Sequence, residues 1–192
     1  MKKFALGIGL LIVLGFIIGG IVNRCDPTTV TNEIDIEGNR IKLKYRIDTA
    51  KMETYTDKVY GVKVQYPAFF NVMDTTEAGT ARFSYPDKEI VVRLSMFVEP
   101  NVEGWTIEEA VNNMTDSYTR CVAKGKDFFI MQGTTPNATV GAYLEKCFLL
   151  DNKWIDYTLF YDTHYGIALE RLMALIWDWH PYRKESCIDI KE

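Results

Sequence analysis

Histidine and cysteine are scarce in this chain. Its 192 residues include two histidines and four cysteines, and the cysteines show no C-x-x-C spacing, which disfavours a structural zinc site. The chain also lacks the G-x-S-x-G motif of serine hydrolases and the G-x-x-x-x-G-K-S/T loop that binds phosphates. The sequence therefore points to no particular reaction, and we predict no catalytic residue, no metal site and no cofactor.

The chain also lacks an excess of positive charge. Its formal net charge is −4, and without Lys2 and Lys3 it is −6. Binding to phosphate backbones needs a concentrated basic surface. We therefore do not expect nucleic acid as a partner.

What the chain does have is a long apolar run near its start. Residues 4–22 carry no charge over 19 positions, and as a helix they would span about 28 Å, close to the thickness of a bilayer core. We predict a transmembrane anchor over residues 1–22, followed by a short polar linker over residues 23–32.

A cleaved signal peptide and a lipoprotein are the two alternatives to a retained anchor. The run exceeds the usual length for a signal peptide, and Ile17 and Ile18 stand two positions before the small residues Gly19 and Gly20, where a peptidase prefers small side chains. A lipoprotein site at Cys25 is disfavoured because a bulky cation directly precedes it. These features favour the retained anchor.

Charge also sets the expected orientation. Lys2 and Lys3 precede the span, so the positive-inside bias keeps the N-terminus in the cytoplasm. The remaining domain is then extracytoplasmic, which means periplasmic in a Gram-negative cell. Gly15 and Gly19 form a small-xxx-small pair, through which two spans can approach closely as a homodimer.

Residues 33–47 show alternating hydrophobicity on both sides of Gly38-Asn39, a pattern typical of a β-hairpin. In such a strand one face carries four cations: Arg40, Lys42, Lys44 and Arg46. This row can meet anionic headgroups or an acidic partner. The alternative is a solvated strand face whose charges discourage edge pairing.

The pattern of strands and helices expected in residues 48–192 predicts one α+β globular domain. Strands joined by hairpins, one of them turning at residues 151–153, indicate an antiparallel sheet. A capping box formed by Thr106 and Glu109 starts one helix, whose apolar stripe extends to Cys121. A second helix is expected over residues 166–180. We therefore expect an α-β-α sandwich in which two helices cover the sheet.

The stretch "YGVKVQYPAFF" resembles the opening strand of PsbP-like domains, in which a Gly-hydrophobic-x-hydrophobic-x-Tyr-Pro strand runs into an aromatic residue. The order of the following elements is also similar, so the resemblance covers Lys58 to about Arg183. It implies a binding or assembly module that is often tethered to a membrane. It implies no shared catalytic residues.

Cys121 and Cys147 can pair if the domain is exported to an oxidising compartment. One is expected on the helix stripe and the other on a strand that this helix covers. The parity of the strand opposes the pairing, because Leu144, Phe148 and Leu150 share the face opposite Cys147. Two buried thiols are the alternative.

His164 lies two residues after Asp162, and such a pair can act as a general base held by a carboxylate. A helix N-cap formed by Asp162 or Thr163 explains the same spacing. We expect a membrane-anchored, non-catalytic binding or assembly module whose protein partner or apolar ligand is unknown. The alternatives are an exported enzyme with a site near His164, and a structural envelope component.

Overall fold

The computed structural model describes residues 35–135 and 141–182. The predicted anchor (1–22), the linker (23–32) and the Gly15–Gly19 contact lie outside the described residues. Among the helices of the described residues, none is both long enough and apolar enough to cross a bilayer.

The described residues form three α-helices, one 3₁₀ helix and nine strands. The helices are α1 (Ile36–Asp48), α2 (Ile107–Met114), the 3₁₀ helix (Thr163–Leu169) and α3 (Glu170–Asp178). The strands are β1 (Met52–Thr56), β2 (Lys63–Pro67), β3 (Asn71–Asp74), β4 (Thr80–Ser84), β5 (Val92–Pro100), β6 (Thr119–Lys124), β7 (Phe128–Thr134), β8 (Gly141–Leu150) and β9 (Lys153–Asp162).

Seven strands form the main sheet, in the order β3-β4-β5-β9-β8-β7-β6, and β1 pairs with β2 in a separate hairpin. Every neighbouring pair is antiparallel. The predicted α+β class with an antiparallel sheet is therefore confirmed.

The sheet separates two hydrophobic cores. The larger core contains inward side chains of α1 and α3, including Leu43, Ile47, Leu172 and Ile176. The smaller core lies on the other face, where α2 contributes Ala110 and Val111. Helices thus cover both faces, but three α-helices are described where the sequence predicted two.

The third helix is α1, and it corrects the predicted hairpin over residues 33–47. Asp35 is its N-cap, with Oδ1 accepting a hydrogen bond from the Gly38 N–H at 2.8 Å. The alternating pattern was misleading because every second residue of such a series is four positions from the one before it. Residues four positions apart lie on the same side of a helix. Leu43 and Ile47 form such a pair, and both are fully buried.

The hairpin between β8 and β9 is confirmed. Asp151 and Asn152 both have positive φ, at 50° and 57°, as a two-residue type I′ turn requires. The turn places Leu150 opposite Lys153 and fixes the register along both strands.

The helix that begins with the capping box is shorter than predicted. Thr106 and Glu109 form the box as expected. The helix ends at Met114 because Thr115 is extended and Asp116 turns the chain by accepting a hydrogen bond from the Tyr118 N–H. Cys121 therefore lies on β6 and not on a helical stripe.

Candidate functional site

The four cations of the predicted binding row lie on α1 and do not share one face. Successive helical residues differ by about 100°, so residues two apart point in nearly opposite directions. Arg40 pairs with Glu37, and Lys44 pairs with both Asp48 and Glu170 at 3.2 Å. The hydrogen bond to Glu170 is the main cause of the raised pKa of Lys44.

Arg46 is engaged in aromatic contacts. Its guanidinium lies 4.4 Å from the centre of the Phe69 ring and donates a hydrogen bond to the Tyr85 hydroxyl at 3.0 Å. The continuous basic stripe expected from the hairpin is therefore absent from α1.

The outer face of α1, which we define as Ile41, Lys42 and Tyr45, is exposed. Ile41 and Tyr45 are 62% and 69% exposed. They lie four residues apart, directly opposite the buried pair Leu43 and Ile47. An apolar pair on each side of one helix is unusual for a domain surface, where the outward face is usually polar.

The predicted disulfide is also corrected, because Cys121 and Cys147 are both free thiols. Both β6 and β8 are neighbours of β7, which separates them in the sheet. Strands two positions apart are about 9.5 Å from each other, farther than a disulfide can bridge. The Cys121 thiol instead donates a hydrogen bond to the Ala123 carbonyl.

His164 and Asp162 do come together. The Asp162 Oδ1 accepts a hydrogen bond from the His164 backbone N–H at 2.9 Å and lies 2.8 Å from the imidazole Nδ1. Asp162 is the N-cap of the 3₁₀ helix, which is the structural alternative given above. Among the described residues, Asp162 is the only carboxylate that forms a hydrogen bond with this imidazole.

Two carboxyl groups that the sequence analysis missed lie on the face of the sheet that carries the smaller core. Cys147 is paired with Asp156, and Glu145 with Thr158, across β8 and β9. Burial, followed by repulsion from Glu145, raises the pKa of Asp156 well above its usual range. Burial likewise raises the pKa of Glu145.

The buried Asp156 Oδ1 has no hydrogen-bond partner among the described residues, although the Cys147 thiol is hydrogen-bonded to the Asp156 carboxyl. A raised pKa suits a proton donor, but an oxygen closed to solvent cannot reach a substrate. We therefore assign the pair to the interior of the fold.

The missed residues had a signal in the sequence. The two-residue turn at Asp151-Asn152 fixes the register, and counting back from it places Cys147 opposite Asp156. Glu145 in "LEKC" and Asp156 in "WIDY" then fall on the same face of neighbouring strands.

A concave site that combines aromatic rings with charged groups lies where α3 ends over β7 and β8. It is an open cavity of about 380 Å³. Its lining consists of three aromatic rings, one ammonium group, two carboxyl groups and one imidazole, contributed by Phe128, Phe148, Trp179, Lys146, Asp127, Asp178 and His180.

Lys146 is the unusual member of this lining because it is only 7% exposed. Its Nζ donates a hydrogen bond to the Trp177 carbonyl at 2.6 Å, at the C-terminal end of α3, where a cation is favoured by the helix dipole. The ammonium group also lies 4.9 Å and 5.3 Å from the ring centres of Phe128 and Phe148. These contacts hold a positive charge at the base of an aromatic wall.

A second cavity, of about 400 Å³, lies beside β6 and β7. Most of the residues that line it have polar side chains, and they include Arg120 and Gln132, which are joined by a hydrogen bond of 3.3 Å. The described residues contain no group of three or more histidine, cysteine or acidic side chains arranged to hold a metal ion.

Comparison with known proteins gives a likeness to a solved structure. No family model matches the sequence, and no curated protein matches it. The structure is similar to the solution structure of cyanobacterial PsbP (CyanoP) from Synechocystis sp. PCC 6803, with a TM-score of 0.46 and 13% identity over 85% of this chain and 100% of that one. The predicted resemblance to a PsbP-like domain is thus found again by structure comparison. At this degree of likeness, no functional residue is carried over.

Proposed function

We propose that the chain is a membrane-anchored, extracytoplasmic and non-catalytic binding module. Residues 4–22 act as its transmembrane helix and the α+β domain carries its ligand site. The observation that supports the binding role is the aromatic cavity around Lys146.

The cavity has the size and composition of a ligand site. A volume of about 380 Å³ falls in the range of small-molecule pockets, roughly 300–1,000 Å³, whose walls are mostly apolar with a few polar groups. Here Phe128, Phe148 and Trp179 form the wall. The same space fits an aromatic side chain presented by a protein partner.

The charges of the lining favour an uncharged aromatic group as the ligand. Lys146 already holds the cation position beside the rings, and the lining also includes the carboxyl groups of Asp127 and Asp178. A strongly anionic ligand would meet these two carboxyl groups, and a cationic ligand would meet the ammonium group.

Indole, a water-soluble neutral aromatic compound, is a suitable probe of this site. The full chain in detergent is labelled with trifluoromethyl-phenylalanine at Phe128, and its ¹⁹F resonance is followed during an indole titration. We expect a saturable shift, because ring stacking changes the field at this wall of the cavity.

Phe160 provides the matched control, since it is also half-buried but lies on the opposite face of β9. The same label at Phe160 should show no saturable shift. Equal shifts at the two positions, or none at Phe128, would contradict the proposed site.

A further inference from the structure

We infer that the second cavity, beside β6 and β7, binds a neutral saccharide whose ring stacks on Tyr118 and whose hydroxyls are bound by Arg120 and Gln132. This site is separate from the aromatic cavity and does not depend on the proposed function. Both cavities adjoin β7, one beside Phe128 and the other beside Gln132. Four residues of an extended strand separate these positions by about 14 Å.

The strand register places the floor of this cavity on the face of the sheet that carries the larger core. Gln132 is opposite Arg120 on β6 and opposite Leu144 on β8. Thr134 is opposite Ala142, which belongs to the larger core, as Leu144 does. Because α3 packs over β8 and β9, the floor on β6 and β7 stays accessible, with Arg120 and Thr134 exposed. This face therefore changes from apolar to polar at the cavity, where its side chains can hydrogen-bond a ligand.

Tyr118 supplies an aromatic surface at the cavity and is 50% exposed. Its backbone is held on both sides, because its N–H donates to Asp116 Oδ1 at 2.7 Å and its carbonyl accepts from the Thr134 N–H at 3.0 Å. A Cβ on Gly133 would lie 2.8 Å from that carbonyl oxygen, so the glycine permits this close approach. The ring thus projects from an ordered backbone, which lowers the entropy cost of binding.

The polar groups of the lining suit hydroxyls better than charges. The Arg120 Nη2 donates to Gln132 Oε1 at 3.3 Å. A guanidinium presents several N–H donors in one plane, and an amide both donates and accepts, so this pair can bind neighbouring hydroxyls of one sugar. Among the described residues of the lining, Arg120 is the only cation and Asp116 the only acid. The two charges are balanced, and they select neither an anion nor a cation.

A pyranose ring matches both kinds of surface. Its axial C–H groups form a flat apolar face that stacks on the negative face of an aromatic ring, and the hydroxyls at its edge both donate and accept hydrogen bonds. The cavity volume of about 400 Å³ lies within the range of small-molecule pockets, roughly 300–1,000 Å³.

Saturation-transfer difference NMR with cellobiose tests the site in the full chain. The protein is kept in a detergent that carries no sugar, and cellobiose is titrated into it. In a β-glucose ring H1, H3 and H5 lie on one side and H2 and H4 on the other, so stacking transfers saturation more strongly to one of these sets. We expect a saturable signal with this uneven pattern. Glycerol, which has hydroxyls but no ring, should give no saturable signal.

Variants of Tyr118 and Arg120 test the two parts of the site. We expect the cellobiose signal to fall about fivefold in Tyr118→Ala and to change little in Tyr118→Phe, which keeps the ring. Arg120→Met, which removes the guanidinium from an exposed position, should lower the signal independently. Tyr45→Ala removes a tyrosine that is 69% exposed on α1, and as the matched control it should leave the signal unchanged. Circular dichroism establishes that each variant is folded.

Two kinds of result would overturn the inference. The first is the absence of a saturable cellobiose signal, an equal signal from glycerol, or equal cellobiose signals in the parent, Tyr118→Ala and Arg120→Met. The second is a saturable shift of the ¹⁹F label at Phe128 on addition of cellobiose, because this would place the sugar in the aromatic cavity. We expect that resonance to stay unchanged.

Discussion

Asp57 shows what one buried carboxylate does in this domain. Its Oδ1 accepts hydrogen bonds from the backbone N–H groups of Val59 and Tyr60, and its Oδ2 accepts one from Gly79 at 2.8 Å. Burial alone would raise the pKa of Asp57, but the three backbone donors outweigh it and lower the pKa. The carboxylate thereby joins the loop after β1 to the turn before β4.

Replacing Asp57 with Asn removes the charge and weakens these bonds. We expect Asp57→Asn to lower the free energy of unfolding at neutral pH by about 1–3 kcal/mol, measured by urea denaturation. A carboxyl whose pKa is lower in the folded state stabilises the fold above its unfolded pKa and loses this effect as the pH falls through the folded pKa. The difference between variant and parent should therefore shrink in acid. Asp87→Asn, at an exposed position, should change stability by less than about 0.5 kcal/mol.

Asp156 makes stability depend on pH in the opposite direction. Because its pKa is raised in the folded state, the fold binds more protons than the unfolded chain, and stability falls as the pH rises from the ordinary carboxyl range through the folded pKa. We expect Asp156→Asn to flatten this decline, whose slope is at most about 1.4 kcal/mol per pH unit for one proton. Urea denaturation at a series of pH values measures it. An unchanged slope in the variant would show that Asp156 is not responsible.

At the scale of elements, α1 is held by a residue from another helix. The Arg171 Nη1 donates to the carbonyls of Ile47, Asp48 and Ala50 at 2.7, 2.8 and 3.0 Å. These oxygens lie at the C-terminal end of α1, where carbonyls lack partners within the helix and a cation is favoured.

Arg171→Met keeps most of the apolar stem and removes the guanidinium group that binds the three carbonyls. We expect it to cost about 2 kcal/mol of stability and to speed amide hydrogen exchange in residues 36–48 more than in the sheet. Arg93→Met, at an exposed position of β5, is the control. A uniform increase in exchange across the domain would contradict a local role for Arg171.

The same element marks the limit of prediction from sequence. The capping box at Thr106 and the turn within residues 151–153 were predicted because each is a local signal whose partners lie within a few residues. Helix α1 was missed because one of the contacts that hold its C-terminal end comes from Arg171, more than 120 residues later in the chain. Residues near α1 in the sequence give no sign of that contact. The hairpin was therefore predicted from the alternating pattern alone.

The candidate site was hidden for a similar reason. The helical pattern before Pro181 indicates either Trp179 or His180 as an inward-facing residue. Their neighbours in the cavity come from β7 and β8, and only the folded sheet brings Phe128 and Lys146 under the end of α3. The sequence identifies the aromatic residues but not which of them share a surface.

At the scale of the whole molecule, the sheet consists of two meanders joined at one seam. Strands β3, β4 and β5 follow one another on one side, and β9, β8, β7 and β6 follow one another on the other. The seam pairs β5 with β9, placing Leu94 opposite Leu159. It is the one pairing in the main sheet whose partners are not consecutive strands.

We expect this seam to form late when the domain folds from the unfolded chain. Hairpins close short loops, whereas β5 and β9 must meet across a loop of more than fifty residues, and pairings of high contact order form slowly. We expect Leu94→Ala to accelerate unfolding and leave the refolding rate nearly unchanged, and Ile130→Ala, within the β6–β9 meander, to slow refolding. Stopped-flow chevron plots of the two variants measure this. Slower refolding in Leu94→Ala than in Ile130→Ala would mean that the seam nucleates folding.

If the seam closes last, each newly made chain passes through a stage in which the facing edges of β5 and β9 are both open, and at that stage a second copy can pair with it.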